Sequence, residues 1–191
     1  MGTLIHWLSE GDLTTDGRAN EVAELVASNP ELWPDLTAAL SSPEPVVRGH
    51  AADALEKVTR SHPEWVRVNL PALRRQAIAD PVAMVRWHLA MVLGHLAGFD
   101  ETVDPSSHTL EQLLHDPSAT VRSWALTSLC IIGRLSPNRS PRIIRQISAL
   151  ARDPSAAVRK RARRALETLT DPGLPFPKGW AKARWNWAEK D

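Results

Sequence analysis

The chain has 191 residues and a formal net charge of +1, with 43% hydrophobic and 24% charged side chains. These proportions suit one folded domain with a substantial core and exclude a disordered tail. A single cysteine, Cys130, excludes an intrachain disulfide framework, and no apolar run approaches the ~20 residues of a membrane helix.

The start, MGTLIHWLSEGD, has no basic stretch ahead of a long apolar run, so no signal peptide is expected and the cytoplasm is the expected compartment. Met1-Gly2 begins like a myristoylation site, but His6 stands where Ser or Thr is expected. Residues 1–29 read as a degenerate N-terminal cap, in which DLTTDGR (12–18) keeps an Asp-to-Arg spacing that recurs downstream.

From there four units follow, at about 30–62, 63–99, 105–136 and 139–170. Their centres align as SPEPVVR (42–48), DPVAMVR (80–86), DPSATVR (116–122) and DPSAAVR (153–159). Successive prolines, Pro43, Pro81, Pro117 and Pro154, lie 38, 36 and 37 residues apart. After each Arg an apolar series falls three, seven and ten residues on, as in Leu89/Leu93/Leu96 and Ala162/Leu166/Leu169, which is one face of a helix. The Asp or Ser before each Pro reads as an N-cap, with Pro at the first helical position. A first helix precedes each cap, as in Trp33/Leu36/Leu40 and Ile143/Ile147/Leu150. SNPELW (28–33) and SHPEWV (61–66) both open such a helix, and the longer run after Pro63 predicts about one extra turn there. Residues 172–191 read as a proline-rich connector and a tryptophan-rich C-terminal capping helix, with Trp180, Ala183, Arg184 and Trp187 on one face.

A helix–turn–helix unit of this length buries a core only by stacking on its neighbours. A tetratricopeptide unit would carry a tyrosine, which the chain lacks, and an ankyrin unit would show Thr-Pro-Leu-His. The D-P-x-x-x-V-R unit over roughly residues 30–170 resembles the HEAT-repeat family, in particular its short bacterial HEAT-like members. The resemblance implies an all-α, right-handed α-solenoid of stacked HEAT-like helix–turn–helix repeats over residues 1–171. It also implies a hydrogen-bonded ladder of Asp and Arg from successive repeats, with Asp80, Arg86, Asp116, Arg122, Asp153 and Arg159 at the matching positions. The first repeat departs, with Ser42 in place of Asp, which leaves its ladder contact open.

In such a solenoid the exposed face of each second, or B, helix lines the concave surface. Helical geometry puts Gly49, Trp87, Ser123 and Lys160 in one outward column and Asp53, Met91, Thr127 and Arg164 in the next. A neighbouring row reads His50, His88, Trp124 and Arg161. The expected concave surface therefore runs from Asp53, through Trp87, Met91 and Trp124, to Lys160 and Arg164, and an apolar-aromatic centre of that kind suits a binding surface. Charge is graded along the chain: residues 1–41 sum to −6, residues 42–133 to −2 and residues 134–191 to +9.

No histidine precedes a glutamate, so the His-Glu pairs of the HEAT-repeat diiron hydroxylases are missing. His88 and His95 share a helix and His50 is expected near His88, but no carboxylate or cysteine completes a set. No metal, cofactor or catalytic residue is assigned, and Cys130 reads as a half-buried structural thiol. The HEAT-like alkylpurine DNA glycosylases place a carboxylate one turn after a cleft tryptophan, whereas Met91 holds that position here. Two functions remain. The first is a non-catalytic scaffold that binds a protein or peptide partner through Trp87, Met91 and Trp124, with Asp53, Lys160 and Arg164 on the same surface. The alternative is a nucleic-acid binder using Arg161, Arg163, Lys178, Lys182 and Arg184 beside Lys160 and Arg164, with tryptophans as stacking surfaces. The chain is expected as a monomer or in weak, head-to-tail self-association, away from membranes.

Overall fold

A computed structural model describes residues 2–183, with the side chains of Gly2 and Thr3 left aside. Its helices pair in chain order: α1 (Gly2–Leu8) with α2 (Ala19–Ser28), α3 (Trp33–Ala39) with α4 (Pro45–Thr59), α5 (Leu70–Ala79) with α6 (Ala83–His95), α7 (Asp100–Leu113) with α8 (Ala119–Leu135) and α9 (Ser140–Ser148) with α10 (Ala156–Thr170). The second helices pack in sequence, α2 on α4, α4 on α6, α6 on α8 and α8 on α10, and the first helices form a parallel outer row. This is an α-solenoid of five helix pairs, one continuous core running through it.

The two rows are tied differently. Between B helices the contact is close and apolar: a Cβ on Gly94 would lie 2.6 Å from Ser128 Oγ and 3.2 Å from Ser128 Cα. Ser128 Oγ uses that approach to donate to Ala90 O at 2.7 Å, and both groups are sealed from water. Between first helices the side-chain links include a part-buried hydrogen bond, Arg74 Nε to Thr109 Oγ1 at 2.8 Å, and ion pairs, Arg139 to Asp104 at 2.7 Å and Arg142 to Glu111 at 2.8 Å.

The Asp-Pro signal works differently from a helix cap. Each α-helix starts three residues after the aspartate, with Val82, Ser118 and Ser155 as N-caps. The aspartate instead closes an Asx turn, Oδ1 accepting from the amide two residues on: Asp80 from Val82 (2.8 Å), Asp116 from Ser118 (2.8 Å) and Asp153 from Ser155 (2.7 Å). That geometry leaves carboxylate lone pairs for the preceding repeat. Arg48 Nε donates to Asp80 Oδ2 at 3.0 Å. Arg86 grips Asp116 with Nε (2.6 Å) and Nη2 (3.0 Å), and Arg122 grips Asp153 with Nε (2.7 Å) and Nη2 (2.9 Å). Ser42 thus removes one acceptor at the start of the ladder, while its repeat still supplies the donor Arg48.

Local structure departs from the repeat pattern at three further places. DLTTDGR forms no rung, because Arg18 precedes α2 and pairs with Glu10 and Glu21 at 3.4 Å each. The extra length after Pro63 is shared between a 3-10 stretch, Pro63–Asn69, and α5, which at 10 residues is longer than the 7-residue α3. Pro71 in the first turn of α5 has no N–H to donate, so the α-helical ladder does not extend back through it. Helix α7 begins at Asp100, ahead of the 105 boundary, and carries Pro105 inside it at the loss of one early hydrogen bond.

The last repeat closes the stack by changing polarity. The Asp116-to-Asp153 offset is 37 residues, which maps Leu126, Cys130 and Gly133, all buried against α10, onto Arg163, Glu167 and Thr170, all exposed. A solenoid end needs such a polar outer side.

Candidate binding face on the B helices

The expected open surface on the B helices is covered at both ends by the chain itself. At the N-terminal end the loop between α1 and α2 folds over α4. Both ring nitrogens of buried His50 face its carbonyl oxygens, Nδ1 to Leu8 O at 2.9 Å and Nε2 to Asp12 O at 3.0 Å and Thr15 O at 3.1 Å. Gly17 allows this fit: its φ is +49°, and a Cβ there would lie 2.6 Å from His50 Cε1. His50 is thus held by this loop, and Leu13 lies over Gly49.

Asp53 and Met91, expected on the open surface, are each only 4% exposed. Asp53 Oδ2 accepts from Lys57 Nζ at 2.9 Å, and Lys57 reaches back to Asp16 of the N-terminal loop at 3.6 Å. Beside them Trp87 is half-buried, its Nε1 donating to His88 Nε2 at 3.1 Å, while His88 Nδ1 stands 2.9 Å from Met84 O. With Nε2 an acceptor, Nδ1 carries the proton and the ring is neutral. Burial lowers the His88 pKa in agreement, despite the opposing charges of Asp53 and Glu56.

Deeper in the α4–α6 seam lies a charged group that the repeat pattern gives no hint of. Glu56 is fully buried and accepts from His95 Nε2 at 2.8 Å and from Arg60 Nε at 3.0 Å. Burial pushes this carboxyl up, but the hydrogen bonds and charges of His95 and Arg60 outweigh it and hold the pKa at about 2. The only sequence trace is the i, i+4 pair Glu56/Arg60, which reads equally well as a surface pair.

At the C-terminal end the connector turns back along the B helices. Arg134 gathers its carbonyls, donating to Thr168 O (3.1 Å), Asp171 O (3.4 Å), Leu174 O (2.9 Å) and Pro172 O. Phe176 then meets Trp180 edge to face at 6.1 Å, and both pack against the core. Half-buried Trp124 carries two cations on its ring, Arg161 at 4.9 Å and Lys182 at 5.0 Å, and Arg161 also lies 5.4 Å from the Trp180 ring. Arg161 Nη1 donates to Thr127 Oγ1 at 2.9 Å, so the column holding Thr127 is an inter-repeat seam rather than an open face. Burial lowers the pKa of both Arg161 and Lys182; for Lys182 the charges of Glu56 and Asp53 pull the other way and those of Arg60 and Lys57 oppose them.

The structure therefore brings Trp124, Arg161 and Lys182 together. Lys160, Arg163 and Lys178 are exposed, Arg164 is paired with Glu167 at 3.2 Å, and Arg184 lies outside the described residues. Residues 180–183 carry no helix, and the rest of the expected capping helix, with Trp187, lies outside the described residues.

Among the described residues no group of three His, Cys, Asp or Glu side chains is arranged to hold a metal ion, and no helix is long and apolar enough to cross a membrane. Cys130 is fully buried rather than half-buried, and burial pushes its thiol to about 12. A thiol-specific reagent at pH 8 is expected to leave the native chain unlabelled and to modify it at the rate of unfolding. Rapid labelling of the native chain would show this seam to be open.

A model of HEAT repeats matches residues 33–130. No curated protein matches the sequence. Among solved structures, a designed armadillo repeat protein superposes with a TM-score of 0.58 at 17% identity, covering 87% of this chain and 80% of its own. A computationally designed armadillo repeat protein for modular peptide recognition gives 0.58 and 17%, covering 86% and 79%. A third, a designed armadillo repeat protein in complex with the peptide (KR)4, gives 0.55 and 16%, covering 87% and 80%. At such identities the likeness is one of fold. The family match extends over the ladder aspartates Asp80 and Asp116 and over the helix pairs α3–α4 and α5–α6, and on that ground the chain belongs to the HEAT-repeat family.

Proposed function

We propose that this chain is a non-catalytic binding module whose B-helix face holds an extended protein segment carrying aromatic and basic side chains. The observation that carries the reading is the seating of its own non-helical tail there, with Lys182 on Trp124 and Trp180 against Arg161. The same surface supplies rings for cations and a guanidinium for a ring. Designed armadillo relatives of the fold that recognise peptides, one of them bound to (KR)4, support the reading. Of the surface read from sequence, Trp87 and Trp124 remain half-open to a ligand, whereas Asp53 and Met91 act from beneath.

The test uses the full chain with Trp180→Ala, which loosens the resident tail, and a labelled peptide of residues 174–191. Saturable binding is expected, weakened about tenfold or more by adding Trp124→Ala. Failure of the peptide to bind, together with salt-sensitive binding of labelled DNA, would overturn this reading in favour of nucleic acid.

A further inference from the structure

Arg48, Arg86 and Arg122 share one pose. In each, Nη1 donates to two carbonyl oxygens of its own turn: Ser42 and Pro43 (2.8 and 3.0 Å), Asp80 and Pro81 (2.8 and 3.0 Å), Asp116 and Pro117 (2.7 and 3.0 Å). This clamp fixes the guanidinium and presents its Nε edge to the aspartate of the next repeat. Arg159 is clamped in the same way, Nη1 donating to Asp153 O at 2.7 Å and Pro154 O at 2.9 Å. Its Nε and Nη2 have no acceptor among the described residues. The ladder thus ends in a pre-oriented, empty fork of the kind that grips carboxylates with two parallel hydrogen bonds.

A matching group lies in the loop between α1 and α2, the loop that also covers His50. The α1–α2 loop is the first of the five loops that join a first helix to its B helix, and the ladder aspartates occupy the last three. In that first loop Asp12 Oδ1 accepts from Thr14 N at 2.7 Å, the same Asx turn that Asp80, Asp116 and Asp153 make. Asp12 is exposed, and no arginine meets it among the described residues. The last repeat thus offers an unfilled arginine fork and the α1–α2 loop an unfilled aspartate turn. The surrounding charge has the same polarity, +9 over residues 134–191 against −6 over residues 1–41.

We infer that copies of this chain associate head to tail, Arg159 of one closing a further rung on Asp12 of the next. The contact is electrostatic and weak, because α10 turns Arg163, Glu167 and Thr170 outward where an internal repeat would present apolar side chains. Being heterologous, it grows into short open chains rather than a closed dimer.

Sedimentation velocity of the full chain from micromolar to millimolar concentration tests this at low salt. The sedimentation coefficient should rise with concentration and return to the monomer value in ~1 M salt, where screening acts within ~3 Å. Arg159→Asp alone and Asp12→Arg alone should both stay monomeric, since each sets like charges across the contact. A one-to-one mixture of the two variants should recover association, because both possible contacts are again complementary, and recovery also shows that both variants are folded. A concentration-independent wild type, single variants that still associate, or a mixture that stays monomeric each overturn the inference.

Discussion

Replacing Glu56 by alanine is expected to cost about 3–5 kcal/mol of stability, the penalty typical of removing one partner from a buried charge pair. The carboxylate is fully buried, and His95, itself only 3% exposed, has no other acceptor for Nε2 in the described structure. Arg60 would lose its three hydrogen bonds to the carboxylate as well. The pH dependence has a definite sign. The folded pKa, about 2, lies below the ordinary 4.5, so the stabilisation is complete above roughly pH 5 and is lost as pH falls through 2. A depression of that size corresponds to about 3 kcal/mol over the window. Glu56→Gln keeps the shape without the charge and should flatten this acid limb. Urea unfolding of wild type and Glu56→Gln at pH 7 and pH 3.5 reads the difference directly. Equal losses of stability in the two proteins would remove Glu56 from the account.

The residues legible in sequence were those repeated at a fixed register. Asp, Pro, Val and Arg recur because every internal repeat must close the same turn and meet the same neighbour, so four copies reveal a constraint that one copy would hide. The face to which a B-helix residue turns was less legible. A helical wheel separates core from outside, but an inner helix in a stack has a third side, against the next repeat. Thr127 and Arg164 occupy equivalent positions, and Thr127 is fully buried while Arg164 is half-exposed, because α10 packs over α8 and no further helix packs over α10 among the described residues. The cluster Lys160, Arg161, Arg163 and Arg164 then divides by geometry: Arg161 is held between two tryptophans, whereas Lys160 and Arg163 lie on the polar end of the stack. The coverings over the binding face had no periodic signal at all. The loop over His50 and the tail over Trp124 each occur once, and their partners lie 35 or more residues away from His50 and 58 residues between Trp124 and Lys182.

Arg86→Ala is expected to destabilise the chain by about 3 kcal/mol, well beyond Arg159→Ala at about 1 kcal/mol. Arg86 is 8% exposed and makes four hydrogen bonds, two within its own turn and two to Asp116. Its loss leaves the Asp116 carboxylate, 6% exposed, with the Ser118 amide as its remaining partner. Arg159 makes the same two bonds within its turn and no rung, so the difference between the two alanine variants isolates the rung itself. Hydrogen bonding to Asp116, the largest influence, raises the Arg86 pKa further above its usual range, so the contrast should persist across neutral and mildly alkaline pH. A double-mutant cycle with Asp116→Ala should return a coupling of about 1–3 kcal/mol. In a stack where each repeat touches only its neighbours, stability is a sum of repeat and interface contributions. Weakening the α6–α8 interface should therefore do more than lower one midpoint. It should separate unfolding of α1–α6 from that of α7–α10, visible as two phases in hydrogen exchange where the wild type shows one. A single unbroken transition in Arg86→Ala would mean that the apolar seam around Gly94 and Ser128 couples the two halves without the ladder.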